Sequence, residues 1–366
     1  MYVFQRIISY VAVSVLLAGA VGSVKAADPA APPLTPLNID NTRIGIAGFS
    51  SGAYMAIQMQ LSYPEIFKRA GIVAGGPYAC AEDLDAVSDT TRLYKCMQGQ
   101  EASEYIIPAK LKEWALRASQ RAAGGLASLD DGTAFFLHGT NDKTVEQFVA
   151  RDAVSQYGQL RVNGEGTRLV RIKITDDDRR SFAHTFPTQS EGGECNKSVF
   201  PYISRCGFDG AEAVVKMLFG PPYEVQPSTP GGVEKFDQTT LRPEGSVIAD
   251  YGYAYIPQAC KAGQKCGVLL MLHGCSQTAQ AVNPDPTQGE QGVPVGDRFA
   301  KQTGFNKWAD PYSLIVVYPQ VQVSKNPDNI NGCWDWWGYT GKEFDLRTGK
   351  QALFLINTLK ALGYKS

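Results

Sequence analysis

The chain has 366 residues, of which 44% are hydrophobic and 19% charged, and its formal net charge is −1. A chain so close to neutrality gives no indication of nucleic acid or an anionic membrane as a partner. Its length and apolar content are enough for one large hydrophobic core, in either a single α/β domain or two smaller ones.

The first 26 residues are typical of a secretory signal peptide. Arg6 supplies a positive charge, residues 7–21 are almost continuously apolar, and residues 24–26 have the small or apolar side chains that a signal peptidase reads. The apolar run is shorter than the roughly 18 to 20 residues that span a membrane, so an uncleaved anchor is the second interpretation. We predict a secreted protein, extracellular or periplasmic, that has no membrane contact after cleavage.

The rest of the chain is predicted to be one catalytic domain. Residues 27–38 are rich in Pro and Ala and are typical of an extended linker, and residues 39–366 would form the domain. The sequence makes no prediction of the oligomeric state.

Residues 44–59 predict a strand, a sharp turn and a helix. A β-prone apolar run ends in Gly-Phe-Ser-Ser-Gly, from Gly48 to Gly52, and a helix-prone segment with small residues follows. Ser50 would lie at the tip of the turn, and the two glycines would let the strand and the helix come close together. This is the pattern of a nucleophile elbow, although a Ser/Gly-rich loop between a strand and a helix has the same letters.

Strands and helices alternate along the remaining chain. Further strands are predicted at 70–74, 133–137, 169–174, 233–236, 252–256, 267–272 and 314–318, and helices at 106–123, 211–219, 295–303 and 349–362. Most of the strand runs are continuously hydrophobic, which indicates an α/β fold with a mostly parallel sheet and helices on both faces.

The eight cysteines of an exported chain predict disulfides rather than a metal site. Their spacing favours local pairs, and the expected pairs are Cys80–Cys96, Cys195–Cys206 and Cys260–Cys266, which leaves Cys275 with Cys333. A zinc site is the competing interpretation, but there is no C-x-x-C pair and the three histidines are scattered. We therefore expect neither a metal nor a cofactor.

A serine nucleophile at Ser50 needs a histidine base, and only three histidines are available. His138 lies too close in sequence to the candidate acid described next. His273 belongs to a His-Gly pair at a strand end, where a structural role is expected. His184 remains as the predicted base, with an ordinary loop histidine as the alternative.

Asp142 is the predicted acid that orients the histidine. It follows a strand in a Gly-Thr-Asn-Asp turn, where its carboxylate would lie at the edge of the sheet. Asp131 and the acidic run 176–178 are rivals, but a charge run is more often a solvated loop. The order Ser50, Asp142, His184 is the chain order of α/β-hydrolase triads.

An oxyanion hole needs two backbone N–H groups, and Ser51 supplies one. In most hydrolases the other comes from a loop ahead of the elbow, but here the matching His-Gly motif is far downstream, at residues 272–275. The usual order of elements is restored if the chain is circularly permuted, with the helix at 349–362 directly before the elbow strand. The ends of the domain, near residues 40 and 363, should then lie close together.

Several motifs together resemble one family. They are Gly-Phe-Ser-Ser-Gly-Ala-Tyr-Met (48–55), Ala-Gly-Gly-Pro-Tyr-Ala-Cys (74–80), His-Thr-Phe-Pro-Thr (184–188), Leu-His-Gly-Cys (272–275) and Cys-Trp-Asp-Trp (333–336). The chain resembles the single-domain, circularly permuted poly(3-hydroxybutyrate) depolymerases of the α/β-hydrolase superfamily. This resemblance implies a triad of Ser50, Asp142 and His184, an oxyanion hole of the Ser51 and Cys275 amides, and an aromatic contact to polyester from the Cys333–Trp334 loop. Trp334, Trp336 and Trp337 cannot all point the same way, so at least one should pack in the core, and Trp334 is the expected substrate contact.

Three functions remain open at the level of the sequence. The first is a secreted serine esterase that hydrolyses poly(3-hydroxybutyrate), or a related short-side-chain polyhydroxyalkanoate, through an acyl-enzyme. The second is an esterase for feruloyl or acetyl groups on polysaccharide, which would share the elbow and the oxyanion arrangement. The third is a non-catalytic polymer-binding protein that keeps the elbow only for packing.

Overall fold

The computed structural model describes residues 30–81, 89–98, 125–160, 170–174, 181–222, 230–283, 285 and 291–365. The predicted signal peptide and the predicted helix at 106–123 lie outside these residues. Ala31–Ser366 form one compact unit.

The described strands are, in chain order, β1 (Ile39–Phe49), β2 (Arg69–Val73), β3 (Gly132–Leu137), β4 (Val170–Ile174), β5 (Phe186–Thr188), β6 (Gly193–Glu194), β7 (Ile203–Arg205), β8 (Gly232–Asp237), β9 (Tyr251–Ile256), β10 (Cys266–Leu272), β11 (Leu314–Tyr318), β12 (Ser324–Lys325) and β13 (Asp328–Asn329). The described α-helices are α1 (Ser51–Ser62), α2 (Asp89–Gln98), α3 (Gln147–Gly158), α4 (Gly210–Phe219), α5 (Gln258–Lys261), α6 (Arg298–Gln302), α7 (Phe305–Ala309) and α8 (Lys350–Ala361). A 3-10 helix covers Gly125–Leu129.

Eight strands form the central sheet, in the order β4-β3-β2-β1-β10-β11-β9-β8. The strands from β4 to β11 in this order are parallel, and β9 and β8 are antiparallel at one edge. The predicted mostly parallel sheet is therefore confirmed. The first of the described strands, β1, lies inside the sheet between β2 and β10, so that its carboxyl end meets theirs: Phe49 is opposite Val73, and Gly48 is opposite Leu272.

Each face of the sheet carries its own hydrophobic cluster, because successive side chains of a strand point to opposite faces. Ile44 and Ile46 of β1 pack into the cluster under α1, α3 and α8. Ala47 and Phe49 pack into the cluster under α4, α6 and α7. Complete burial of a large apolar side chain contributes about 1.5–3 kcal/mol, so both faces stabilise the sheet.

The structure differs from the predicted elements in several places, and the 12-residue helix α3, for example, was not predicted. The helix expected at 295–303 is shorter and covers only Arg298–Gln302 (α6); a second short helix, α7, follows Gly304, whose φ of +91° separates the two. Strands β5, β7 and β6 form a small separate sheet that the sequence did not predict, since none of them is longer than three residues.

The two ends of the domain touch each other. The Leu37 N–H donates to the Leu362 carbonyl over 2.8 Å, and the Asn41 side chain donates to the Lys365 carbonyl over 2.8 Å. The predicted proximity of residues 40 and 363 is confirmed. Circular permutation itself stays a prediction.

The eight cysteines form four disulfides, Cys80–Cys96, Cys195–Cys206, Cys260–Cys266 and Cys275–Cys333. These are the pairs expected from the spacing. Within the described parts of the chain, no helix is both long enough and apolar enough to cross a bilayer.

Candidate active site

Ser50 lies at the tip of a tight turn between β1 and α1, with φ of +53° and ψ of −121°. A Cβ on Gly48 would lie 2.0 Å from the Gly52 carbonyl oxygen, and a Cβ on Gly52 would lie 2.5 Å from the carbonyl oxygens of Leu272 and His273. Both contacts are far too short for any side chain, so glycine at these positions lets α1 pack directly on the end of β10. The Ser50 N–H donates to the Val73 carbonyl over 2.9 Å and anchors the tip to β2.

The side chains of Ser50, His184 and Asp142 form a continuous hydrogen-bonded chain. His184 Nε2 is 2.9 Å from Ser50 Oγ, and His184 Nδ1 is 2.7 Å from Asp142 Oδ2. All three residues are nearly buried, with exposed fractions of 8%, 6% and 1%. The structure thus brings together the three residues predicted as a triad, from three separate loops at the same edge of the sheet.

The Asp142 carboxylate is held by hydrogen bonds on both oxygens. Oδ1 accepts from the backbone N–H groups of Thr144 and Val145, each at 2.9 Å, which leaves Oδ2 for His184. Burial acts to raise the pKa of Asp142, but the neighbouring His184 and His138 and the hydrogen bonds hold it below its usual value. An ionised Asp142 accepts a hydrogen bond from the Nδ1–H group of His184, which leaves Nε2 with a lone pair toward Ser50.

The small sheet of β5, β7 and β6 positions His184. The backbone N–H of His184 donates to Ser198 Oγ over 3.0 Å. On either side of it, the Ala183 N–H donates to the Cys195 carbonyl and the Phe186 N–H donates to the Tyr202 carbonyl. The disulfide between Cys195 and Cys206 closes this region covalently. The ring also packs on Phe49, with 4.9 Å between the centroids.

His138 lies behind the triad rather than in it. Its Nε2 is 2.9 Å from the Val145 carbonyl oxygen and 3.9 Å from Asp142 Oδ2. Burial lowers the pKa of His138, so its ring is neutral at neutral pH. Its hydrogen bond supports the turn whose amides bind Asp142.

The loop after β10 lies against the elbow. A Cβ on Gly274 would be 3.0 Å from the Cβ of Ser50, so the backbone of this loop and the nucleophile are in contact. Ser51 and Cys275 line the same cleft as Ser50. Neither the Ser51 nor the Cys275 N–H donates to another group in the described parts of the chain, which leaves both available to a ligand.

A cleft of about 490 Å³ opens at Ser50. More of its lining is apolar or aromatic than polar. The apolar and aromatic side chains are Tyr54, Leu93, Met97, Ile330, Trp336, Trp337 and Tyr339, and Asp328, Asn329 and Asn331 add polar groups. The Trp336 ring stacks on Tyr54 with 4.3 Å between the centroids, and Tyr54 belongs to the helix that begins next to Ser50. The disulfide between Cys275 and Cys333 joins the loop after β10 to the loop that carries the tryptophans.

The prediction that Trp334 contacts the substrate is wrong. Trp334 is completely buried, its ring lies 5.7 Å from that of His273, and it does not line the cleft. Trp336 and Trp337 line it instead. The sequence held no signal for this difference, because the shape of the loop depends on the buried Asp335, whose carboxylate accepts hydrogen bonds from the amides of residues 337–340 and the Thr340 hydroxyl.

No group of His, Cys, Asp and Glu side chains suited to a metal ion occurs in the described part of the chain. The arrangement at Ser50 has the parts needed for acyl transfer, namely a nucleophile, a base oriented by a carboxylate, and two free N–H groups beside them.

Similar proteins were found by sequence and by structure, although the chain matches no protein-family model. It is 32% identical to a polyhydroxybutyrate depolymerase from Talaromyces funiculosus over 359 residues, which cover 92% of this chain and 94% of the relative. The crystal structure of PHB depolymerase from Penicillium funiculosum has 29% identity and a TM-score of 0.72, over 90% of this chain and 98% of that chain. A structure of a PHB depolymerase variant complexed with an R3HB trimer has 27% identity and a TM-score of 0.71, with the same coverage of both chains.

Proposed function

Because the chain belongs to the polyhydroxybutyrate depolymerase family, we propose that it is a serine esterase that hydrolyses poly(3-hydroxybutyrate) or a related short-side-chain polyhydroxyalkanoate. The observation that carries this proposal is the hydrogen-bonded chain Ser50–His184–Asp142, whose Ser50 lines a cleft with mainly apolar and aromatic walls. The similar PHB depolymerase complexed with an R3HB trimer supports the choice of substrate.

The reaction would proceed through an acyl-enzyme. His184 Nε2 takes the proton of Ser50 as Oγ attacks the ester carbonyl, and the amides of Ser51 and Cys275 stabilise the oxyanion of the tetrahedral intermediate. Its collapse breaks the ester bond, and His184 returns the proton to the departing alcohol. Water then attacks the acyl-enzyme with His184 again as the base, which releases the carboxylic acid and restores Ser50.

The cleft suits a polyester chain. The repeating unit of poly(3-hydroxybutyrate) carries a methyl branch and an ester group, and it has no hydrogen-bond donor except at the chain end. Apolar and aromatic side chains make up more of the lining than polar ones such as Asp328 and Asn331, so the cleft matches this polyester better than a polysaccharide, which needs many hydrogen-bond partners. We propose that Trp336 and Trp337 contact the polyester.

We further propose that the protein is exported. The four disulfides support an oxidising compartment, since disulfides persist outside the cytosol and are rare within it. The signal-like composition of residues 1–26 supports the same conclusion.

The proposal is tested by Ser50→Ala, because without its nucleophile the site cannot form the acyl-enzyme. We expect the rate of product release from amorphous poly(3-hydroxybutyrate) and from a 3-hydroxybutyrate trimer to fall by more than about 10⁴-fold. Ser62→Ala, at the far end of the same helix, is the control: it removes a hydrogen bond to the Asp345 carbonyl but no group of the triad, and it should retain the wild-type rate. Feruloyl esters assayed in parallel test the other esterase interpretation.

Undiminished hydrolysis by Ser50→Ala would refute the mechanism. Faster hydrolysis of feruloyl esters than of the trimer would refute the proposed substrate. Failure of an organophosphonate to label Ser50 in the folded wild-type protein would favour a non-catalytic binding protein.

A further inference from the structure

The peptide group between Gly274 and Cys275 supplies one of the two N–H groups of the proposed oxyanion hole. A peptide group is planar, and in its trans form the C=O and N–H bonds point in opposite directions. This peptide is trans, since the cis bonds among the described residues are at Phe200-Pro201 and Asn326-Pro327. Whatever fixes the direction of the Gly274 carbonyl therefore also fixes the direction of the Cys275 N–H.

The Gly274 carbonyl oxygen is held by the side chain of the residue before it. His273 Nδ1 is 2.8 Å from the Gly274 oxygen, and the Gln277 N–H donates to the same oxygen over a longer distance of 3.3 Å. The N–H of Gly274 is also held, because it donates to Gln277 Oε1 over 2.7 Å. The imidazole makes the shorter of the two contacts to the carbonyl.

The partners of the imidazole determine which of its nitrogens carries the proton. The Val321 N–H lies 3.2 Å from His273 Nε2. An amide N–H can only donate, so Nε2 must accept and Nδ1 must carry the proton. The ring therefore donates from Nδ1 to the Gly274 carbonyl.

The surroundings of the ring keep it in this state. His273 is completely buried, with the rings of Trp334 and Phe299 at 5.7 and 6.1 Å. Burial lowers the pKa of His273 to about 4, so the neutral form persists at the pH of ordinary assays. A buried, neutral ring with both nitrogens paired has essentially one orientation available.

We propose that His273 is a positioning residue of the oxyanion hole, which holds the Gly274–Cys275 peptide so that the Cys275 N–H points at the oxyanion formed on Ser50. The hydrogen bond to the carbonyl also polarises the peptide group and strengthens the opposite N–H as a donor. The inference rests on the proposed function only in that Ser50 is the nucleophile of an esterase.

Two substitutions separate this role from simple packing. The amide of Asn reaches the place of Nδ1, so His273→Asn can still donate to the Gly274 carbonyl, but it loses the acceptor for Val321. The amide of Gln reaches the place of Nε2, so His273→Gln can still accept from Val321, but it loses the donor to Gly274. Both variants remove the ring and leave a similar cavity.

The test is hydrolysis of p-nitrophenyl butyrate, which needs the acyl-transfer site but no polymer recognition. We expect His273→Gln to lose roughly 10- to 100-fold in kcat with little change in KM, because loss of an oxyanion-hole donor costs about 10²–10³ in kcat and here the donor is only misdirected. The kcat of His273→Asn for the same ester should stay within about 5-fold of the wild-type value. Affinity for an alkyl boronic acid, which forms a tetrahedral adduct with Ser50, should fall in parallel with kcat.

Equal losses in the two variants, in proportion to their losses of thermal stability, would mean that His273 only fills space and would overturn the inference. A wild-type protein that hydrolyses the aryl ester but not poly(3-hydroxybutyrate) would refute the proposed substrate and leave the comparison of the His273 variants intact.

A measurement on the wild-type protein needs no variant to fold. In the NMR spectrum of protein labelled with ¹⁵N-histidine, His273 should be the Nδ1–H tautomer at pH 7, and its Nδ1–H resonance should shift when the boronic acid is bound. The Nε2–H tautomer, or a resonance that the boronic acid leaves unchanged, would contradict the inference.

Discussion

Ser50 has a backbone conformation that side chains rarely adopt, with φ of +53°, and the residues around it make that conformation possible. Gly48 and Gly52 remove the side chains that would collide, and the Val73 carbonyl binds the Ser50 N–H. Single residues also determine which side chains line the cleft. In the segment Cys333–Trp337 the buried Trp334 packs on His273, and the two later tryptophans line the cleft at Ser50.

Trp334 and Trp337 are predicted to have opposite roles. Trp337→Ala should raise KM for a 3-hydroxybutyrate trimer by roughly 5- to 50-fold, equivalent to about 1–2 kcal/mol of lost contact, and should change stability little because the side chain is partly exposed. Trp334→Ala should lower the free energy of unfolding by about 3–5 kcal/mol, since it leaves a large internal cavity. Steady-state kinetics and denaturant unfolding of the two variants measure both quantities. A raised KM with normal stability in Trp334→Ala alone would restore Trp334 as the substrate contact.

At the scale of elements, the site depends on how closely α1 approaches β10. The helix begins directly at the end of β1, and its first turn lies against the carbonyls of Leu272 and His273. Ser51 of the helix and Cys275 of the loop consequently line the same cleft as Ser50. The small sheet of β5, β7 and β6 makes a second contribution, because it holds His184 over the elbow.

Gly52→Ala is predicted to damage both stability and catalysis. The new Cβ would lie 2.5 Å from two backbone oxygens, so α1 must move away from β10, at a cost of about 1–3 kcal/mol or more. The movement also displaces the Ser51 N–H, so kcat for p-nitrophenyl butyrate should fall at least about tenfold.

The matched control is Gly232→Ala, where nothing lies within 4 Å of the new Cβ. We expect its free energy of unfolding to stay within about 0.5 kcal/mol of the wild type, with unchanged kcat. Denaturant unfolding and initial rates measure both variants. If Gly52→Ala behaves like Gly232→Ala, the close approach is not needed for the site.

At the scale of the whole molecule, β1 is the first described strand but lies in the middle of the sheet. The helix expected directly before it in an unpermuted chain is α8, the last described helix. The Leu37 N–H bonds the Leu362 carbonyl, so the two ends are adjacent at the surface. This is the arrangement expected if the order of elements was rotated along the chain, which is why we interpret the fold as a circular permutation.

A rearranged chain tests this interpretation. The variant begins at residue 230 and ends at residue 222, and about six Gly and Ser residues join residue 365 to residue 36. We predict that it folds and keeps kcat for p-nitrophenyl butyrate within about threefold of the wild type. Such a short linker suffices because the ends to be joined already touch. Circular dichroism, thermal unfolding and initial rates measure the outcome.

The control opens the same joined chain between residues 269 and 270, inside β10, which pairs with strands on both sides. This variant should fail to fold, because its break removes the covalent continuity of a central strand. Loss of folding in the first variant as well would show that the present order of the elements is essential.

The sequence was sufficient for those features that depend on local pattern or on elimination. Continuous apolar runs indicated a parallel sheet, because strands covered on both faces need no polar alternation. The Gly-x-Ser-x-Gly pattern predicted the elbow, since only glycine fits beside so tight a turn. With three histidines in the chain, the expected base was His184, and the structure places it between Ser50 and Asp142. The spacing of the cysteines led to the four pairs that the structure contains.

Other features were decided only by the tertiary structure. The depth of Trp334 and the exposure of Trp337 depend on how Asp335 folds its own loop, and such side-chain to backbone bonds leave no periodic pattern in the sequence. The small sheet that supports His184 has strands too short to predict. The role we infer for His273 also depends on a contact to Val321, 48 residues away. A local pattern determines which conformations a segment can adopt, whereas the direction of one side chain or one N–H depends on neighbours that only the folded chain brings together.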